Sequence, residues 1–285
     1  MPVSNVDEDT ESGQPLLHKR RLVVGAALIA TVLLAAAWWW QRDSTPAAAG
    51  ELTVSVQRRL PHDASAFTQG LEVVNGEVVE STGLYGRSTA RRWNLDTGTT
   101  TAEVQVPKQY FAEGMTELPD GRLVQLTWKE GTALVRDPDT LSEVGRFTYQ
   151  GEGWGICMDE TTNRLIMSDG SATLTFRDPV TFKVTGTEEV TDANDKPVTR
   201  LNELECVDGR VWANVWQTDT IVGIDAATGR LVATVDASGL LSDEQAADAD
   251  VLNGIAALPD DEFLITGKLW PEAFVVRFVP IEDEK

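Results

Sequence analysis

A chain of 285 residues, 42% of them hydrophobic, is long enough to bury a substantial core in one large domain or two small ones. Its formal charge of −21 falls almost entirely after residue 50, and a surface that acidic repels phosphate backbones, which excludes nucleic acid as a partner. Two cysteines and two histidines exclude a multi-disulfide scaffold and a cysteine- or histidine-rich zinc site.

In chain order, residues 1–21 read as a polar cytoplasmic tail ending in Lys19-Arg20-Arg21. Leu22 to Trp40 is an uncharged, mostly apolar run close to the ~20 residues a helix needs to cross a hydrocarbon core. The basic residues before it orient the N-terminus to the cytoplasm, and Trp38 to Trp40 suit the outer interface. A single transmembrane helix is expected here, with the rest of the chain extracytoplasmic. The competing reading is a signal peptide cut near Ala47-Ala48-Ala49, giving a secreted protein. Residues 41–50 are small, polar and Pro-containing, a short linker.

From Glu51 onward the chain repeats itself. Phe67 to Gly83, Phe111 to Trp128, Gly153 to Gly170, Leu201 to Trp216 and Leu252 to Trp270 each read as a short apolar strand, a tight polar turn and a second alternating strand. The equivalent positions Gly70, Gly114, Gly155, Glu203 and Gly254 are 44, 41, 48 and 51 residues apart. In the first four repeats a second hairpin follows, built on an Asp-rich turn around Asp96, Asp137, Asp178 or Asp225, residues read as turn formers and not metal ligands. Four antiparallel strands at a period in the forties predict a propeller blade. The last repeat has room for one further strand, Ala273 to Phe278, and Glu51 to Arg58 is predicted to supply its missing outer strand. The expected fold is all-β, a five-bladed β-propeller over residues 51–285, preceded by one N-terminal transmembrane helix. Leu240 to Val251 reads as a helical or irregular connection. Cys157 and Cys206 read as two buried thiols, cysteine being among the most buried residue types, with a disulfide as the alternative.

In such a ring the starts of the innermost strands converge on one mouth of the central channel. That places Phe67, Gln69, Phe111, Glu113, Trp154, Asn202, Glu203 and Asn253 together, Glu113 at a loop-to-strand corner. The ends of the second strands add Trp128, Trp216, Lys268 and Trp270. Aromatic walls around a few polar groups describe a small-ligand pocket. Glu203 and Glu205 read as holding the loop of the fourth repeat, Trp93 and Trp212 as core, and His62 as structural.

FTQGL (Phe67 to Leu71), YFAEGM (Tyr110 to Met115), LTWKEG (Leu126 to Gly131), RLNELE (Arg200 to Glu205), VWANVWQTD (Val211 to Asp219), VLNGIA (Val251 to Ala256) and TGKLWP (Thr266 to Pro271) together resemble the plant and bacterial glutaminyl-peptide cyclotransferases. The resemblance spans essentially the whole domain after residue 50. It implies a five-bladed propeller enzyme that converts N-terminal glutamine of peptides and proteins to pyroglutamate with loss of ammonia. It implies no cofactor and no metal, unlike the zinc-dependent animal enzymes of the same activity. It implicates Phe67, Gln69, Phe111, Glu113, Trp128, Trp154, Asn202, Trp216 and Lys268. On this reading Glu113 is the general acid and base, Lys268, Asn202 or Gln69 holds the oxyanion, and the aromatic residues with Trp270 bind substrate. Two rivals use the same mouth differently, as a non-catalytic receptor for peptides or small ligands, or as a vestige in an interaction module docked by its acidic rim.

Overall fold

The computed structural model describes residues 49–281. The expected membrane span at Leu22 to Trp40 lies outside them; among the described residues no helix is long and apolar enough to cross a membrane. The first strand, β1 (Gly50–Pro61), leads into four-stranded meanders. The first holds β2 (Thr68–Val74), β3 (Glu77–Thr82), β4 (Thr89–Asn94) and β5 (Thr100–Gln105). The second holds β6 (Ala112–Glu117), β7 (Leu123–Thr127), β8 (Thr132–Arg136) and β9 (Glu143–Thr148). The third holds β10 (Ile156–Asp159), β11 (Arg164–Met167), β12 (Thr173–Arg177) and β13 (Val184–Glu189). The fourth holds β14 (Leu201–Val207), β15 (Arg210–Val215), β16 (Thr220–Asp225) and β17 (Leu231–Asp236). After a short helix α1 (Asp243–Ala246), capped by Ser242 and Gln245 in a capping box, come β18 (Leu252–Leu258), β19 (Glu262–Gly267) and β20 (Glu272–Pro280).

The fourth strand of the last sheet is β1, antiparallel to β20 from Leu52↔Pro280 to Pro61↔Glu272. The two ends of the domain therefore close on each other, as the missing strand predicts. One feature was not foreseen: β1 also runs parallel to β17 from Gly50↔Ala233 to Thr53↔Asp236, so the last two sheets are continuous.

Within each sheet the burial gradient runs from inner to outer strand. β6 is almost wholly buried, whereas β5, β9 and β13 alternate exposed and half-buried positions and carry charges that discourage edge pairing. Apolar cores sit between neighbouring sheets all the way round. Val124 packs with Ile156 and Leu165 between the second and third sheets; Leu71, Val78 and Trp93 meet Leu264 and Val275 between the first and last. This is an all-β, propeller-type fold whose inner strands line a central channel.

One sequence reading is corrected and another refined. Cys157 on β10 and Cys206 on β14 form a disulfide joining the third and fourth sheets, not two free thiols, because adjacent inner strands bring their Cα atoms to 5.5 Å. In the outer hairpins Asp137, Asp178 and Asp225 each accept hydrogen bonds from backbone N–H groups and a threonine hydroxyl two and three residues on. In the first sheet that role falls to Asn94 and not to Asp96, which instead pairs with Arg58 at the surface.

Candidate active site

One position recurs in each repeat, and in four of the five it builds the pocket floor. Gln69, Glu113, Trp154, Asn202 and Asn253 occupy the same place in their repeats, immediately before the glycine or, in the fourth, Glu203. In four of the five inner hairpins the pairing register shifts here, between Thr68 and Gly70, Ala112 and Met115, Leu201 and Leu204, and Leu252 and Ile255. A bulge of this kind turns a side chain out of the ladder and aims it along the channel. Glu113 thus lies inside strand β6, at the irregularity, and not at a corner before the strand.

The glycine that follows exists for packing. A Cβ on Gly70 would lie 2.5 Å from the Met115 nitrogen, and one on Gly114 would lie 2.8 Å from Gly155 Cα, so each inner strand leans on the next at this level. Glu203 replaces the glycine in the fourth repeat. Its carboxylate crosses the channel to accept from Leu71 N at 3.3 Å in the first sheet and Ile255 N at 2.8 Å in the last. Its role is to tie three sheets together, which corrects its reading as a support for its own loop.

The ends of the second strands rise beside this floor. Trp128, Trp216 and Lys268 hold equivalent places, each closing its inner hairpin by a backbone N–H bond to Phe111, Arg200 and Val251 respectively, all at 2.9 Å. The matching residue of the first sheet is Gly83, where any Cβ would meet the ring of Phe111. The result is a cavity of about 370 Å³ lined by Phe67, Gln69, Phe111, Glu113, Trp128, Trp154, Asn202, Trp216 and Lys268, with Gln217, Asp250 and Val251 added. Trp270 is not part of the lining. Its indole is buried against Phe274 and donates to the Asp250 carbonyl at 2.8 Å, holding from behind the segment that does line the cavity. Asn253 also lies below the surface, donating to Thr68 O at 3.0 Å and Gln69 Oε1 at 3.3 Å.

Glu113 is 4% exposed, and its Oε1 accepts from Gln69 Nε2 at 3.4 Å. Asn253 and Gln69 thus form a short amide chain ending on the carboxylate. Oε2 of Glu113 has no hydrogen-bond partner, an open acceptor at the cavity floor. Burial pushes the Glu113 carboxyl well above the usual carboxylate range; Lys268 pulls it back, and Glu152 and Glu130 push it further up. Burial holds the Lys268 ammonium below the ordinary lysine value against the opposing pull of Glu113 and Asp250, and its Nζ sits 5.0 Å from the centre of the Phe67 ring. Phe111 packs edge-on to Trp128 at 5.6 Å between centroids, and Trp154 to Trp216 at 5.5 Å.

Residues 27–278 match the family described as glutamine cyclotransferase. The chain belongs to the glutamine cyclotransferase family. It is 40% identical over 231 residues to a glutaminyl-peptide cyclotransferase of Arabidopsis thaliana, covering 79% of this chain and 71% of that protein. It is also similar to the crystal structure of Myxococcus xanthus glutaminyl cyclase, with a TM-score of 0.73 and 35% identity over 82% of this chain and all of that one. Family membership covers the whole ring that builds the cavity. Sequence reading of this cyclotransferase missed Gln217, Asp250, Val251 and Glu152. Gln217 follows Trp216 directly and Asp250-Val251 directly precedes the fifth repeat, so adjacency to a repeat was the available signal; Glu152 had only its place two residues before Trp154.

Proposed function

We propose that this chain is a membrane-anchored, extracytoplasmic glutaminyl-peptide cyclotransferase built on a five-bladed propeller, with Glu113 as its proton-transfer group. The observation that carries the assignment is the unpartnered Oε2 of Glu113, buried at the floor of an aromatic cavity that also holds Lys268. A substrate glutamine places its α-amine, as the free base, against Glu113 and its γ-amide between the indoles. The amine attacks the γ-carbonyl carbon to form the C–N bond of a five-membered lactam, and the carboxylate takes one of its two protons. The tetrahedral oxyanion is held by Lys268 or by the amide of Asn202. Glu113 then returns the proton to the leaving nitrogen, which departs as ammonia as its C–N bond breaks. A carboxyl held above the usual carboxylate range suits both halves of that exchange. Phe111, Trp128, Trp154 and Trp216 fold the side chain toward the ring and exclude water, whose attack would yield glutamate.

The donor set of the cavity, one carboxylate, one ammonium, amides and indoles, offers no metal its usual ligand cluster, so the proposed reaction is metal-independent and survives EDTA. The proposed organisation is a cytoplasmic tail (1–21), an anchor (22–40), a linker (41–50) and the catalytic domain (51–285). The Cys157–Cys206 disulfide supports an oxidising compartment for that domain. The test is ammonia release and pyroglutamate formation from a Gln-initiated dipeptide by the full chain. Absence of turnover from folded protein at neutral pH rejects the reading in favour of a peptide receptor.

A further inference from the structure

Glu152 lies in the connection between β9 and β10 and does not line the cavity. One of its oxygens, Oε2, accepts from the indole Nε1 of Trp128 at 2.7 Å and from that of Trp154 at 3.1 Å. The other, Oε1, lies 3.6 Å from Lys129 Nζ, and that ammonium sits 3.8 Å from the centre of the Trp128 ring. Trp128 comes from the end of β7 and Trp154 from the start of β10, so a single carboxylate oxygen spans two neighbouring sheets. Each indole is also half of an aromatic pair, Trp128 with Phe111 and Trp154 with Trp216. Without Glu152 the two pairs share no side-chain hydrogen bond among the described residues, and both indole N–H groups lose their acceptor.

We infer that Glu152 is a positioning residue for cyclisation, setting the distance between the two aromatic pairs that fold the glutamine side chain. This rests on the cyclotransferase reading of the cavity. A carboxylate is suited to the task because it accepts two N–H donors at one oxygen while its charge holds Lys129 over the Trp128 face. The same charge acts on Glu113, which Lys268, Glu130 and Glu152 face and which in turn acts on the phenols of Tyr85 and Tyr149. Glu152 is half-exposed, so its truncation opens no core cavity.

Two variants of the full chain separate the roles. In Glu152→Ala both indoles lose their acceptor: the near-ultraviolet circular dichroism of the tryptophans changes relative to wild type, KM rises, and kcat/KM falls about tenfold to a hundredfold, as expected when a reacting geometry is loosened. In Glu152→Gln an amide oxygen still receives the indoles, so the dichroism and KM stay near wild type. The acid limb of the pH profile of kcat/KM moves to lower pH, because a negative charge that raises the Glu113 pKa is gone. Glu152→Ala with wild-type dichroism and KM overturns the inference, as does equal damage in both variants with no shift of the acid limb. A wild-type protein that fails to cyclise rejects the cyclotransferase reading instead, and the dichroism contrast between the two variants still decides whether Glu152 holds the indoles.

Discussion

Glu113 and Glu203 stand on neighbouring levels of the same channel, both almost inaccessible and both pushed well above the usual carboxylate range, chiefly by burial. Their partners differ. Glu203 receives two backbone N–H groups from the first and last sheets, whereas Glu113 receives one side-chain amide and leaves an oxygen free. A third region gives the same lesson. The opposite end of the channel holds a cavity of about 570 Å³ with Glu72, Glu117, Glu160 and Glu205, where burial and the charge of Glu117 push Glu72 up to about 7. Glu72 is satisfied by Thr116 Oγ1 at 2.8 Å and Val73 N at 3.2 Å, and no aromatic wall surrounds it. A displaced pKa marks burial; an unmet hydrogen-bond capacity facing apolar walls marks a place for chemistry.

The contrast is sharpest in paired substitutions. Glu113→Gln is expected to lower kcat by about a hundredfold to ten-thousandfold, the usual range for losing a proton-transfer group, measured by ammonia release. Its melting temperature rises at neutral pH. A carboxyl whose folded-state pKa is raised costs stability once pH exceeds its unfolded value, and this cost vanishes as pH falls below that value; the gain from Gln is therefore absent in acid. Glu203→Ala should do the reverse, losing stability because two buried N–H donors are orphaned at about 1–3 kcal/mol each, with kcat much less affected at temperatures where the ring holds. Equal loss of kcat in the two variants breaks the comparison.

Reducing the Cys157–Cys206 bond, or replacing both cysteines by serine, is expected to remove about 2–4 kcal/mol in denaturant unfolding, since it staples the strand that carries Glu203 to its neighbour. Lys268→Met is read most specifically in the pH profile, whatever it also takes from kcat. Removing the cation that pulls the Glu113 carboxyl down moves the acid limb of kcat/KM to higher pH, the opposite sense to Glu152→Gln.

The floor of the pocket was legible because repetition exposes it. Gln69, Glu113, Trp154 and Asn202 fill one slot of a recurring hairpin, so their convergence follows once the hairpins are arranged in a ring. Ring closure was legible for the same reason, as a strand missing at one end and spare at the other. What escaped depends on where side chains reach and not on where the backbone repeats. Glu203 spans the channel to Leu71 and Ile255, contacts that no local pattern encodes. Trp270 shares the aromatic character of Trp128 but lies two residues past the equivalent place, which Lys268 holds, and its indole turns toward the carbonyl of Asp250. Glu152 sits in a connection outside the hairpin repeat, so its bond to two indoles is visible only in three dimensions.

The double pairing of β1 has a consequence for how the chain reaches its native state. During synthesis this strand is made first among the propeller elements, yet its antiparallel partner β20 is made last and its parallel partner β17 only shortly before. Until residue 280 is available, β1 and β19 each lack a partner along one edge, and the incomplete ring invites pairing between nascent molecules. Such sequence-distant contacts also make closure slow. The final strand of the propeller is therefore the clasp, and a chain cut short before β20 is a far greater aggregation hazard than one nicked in an outer turn.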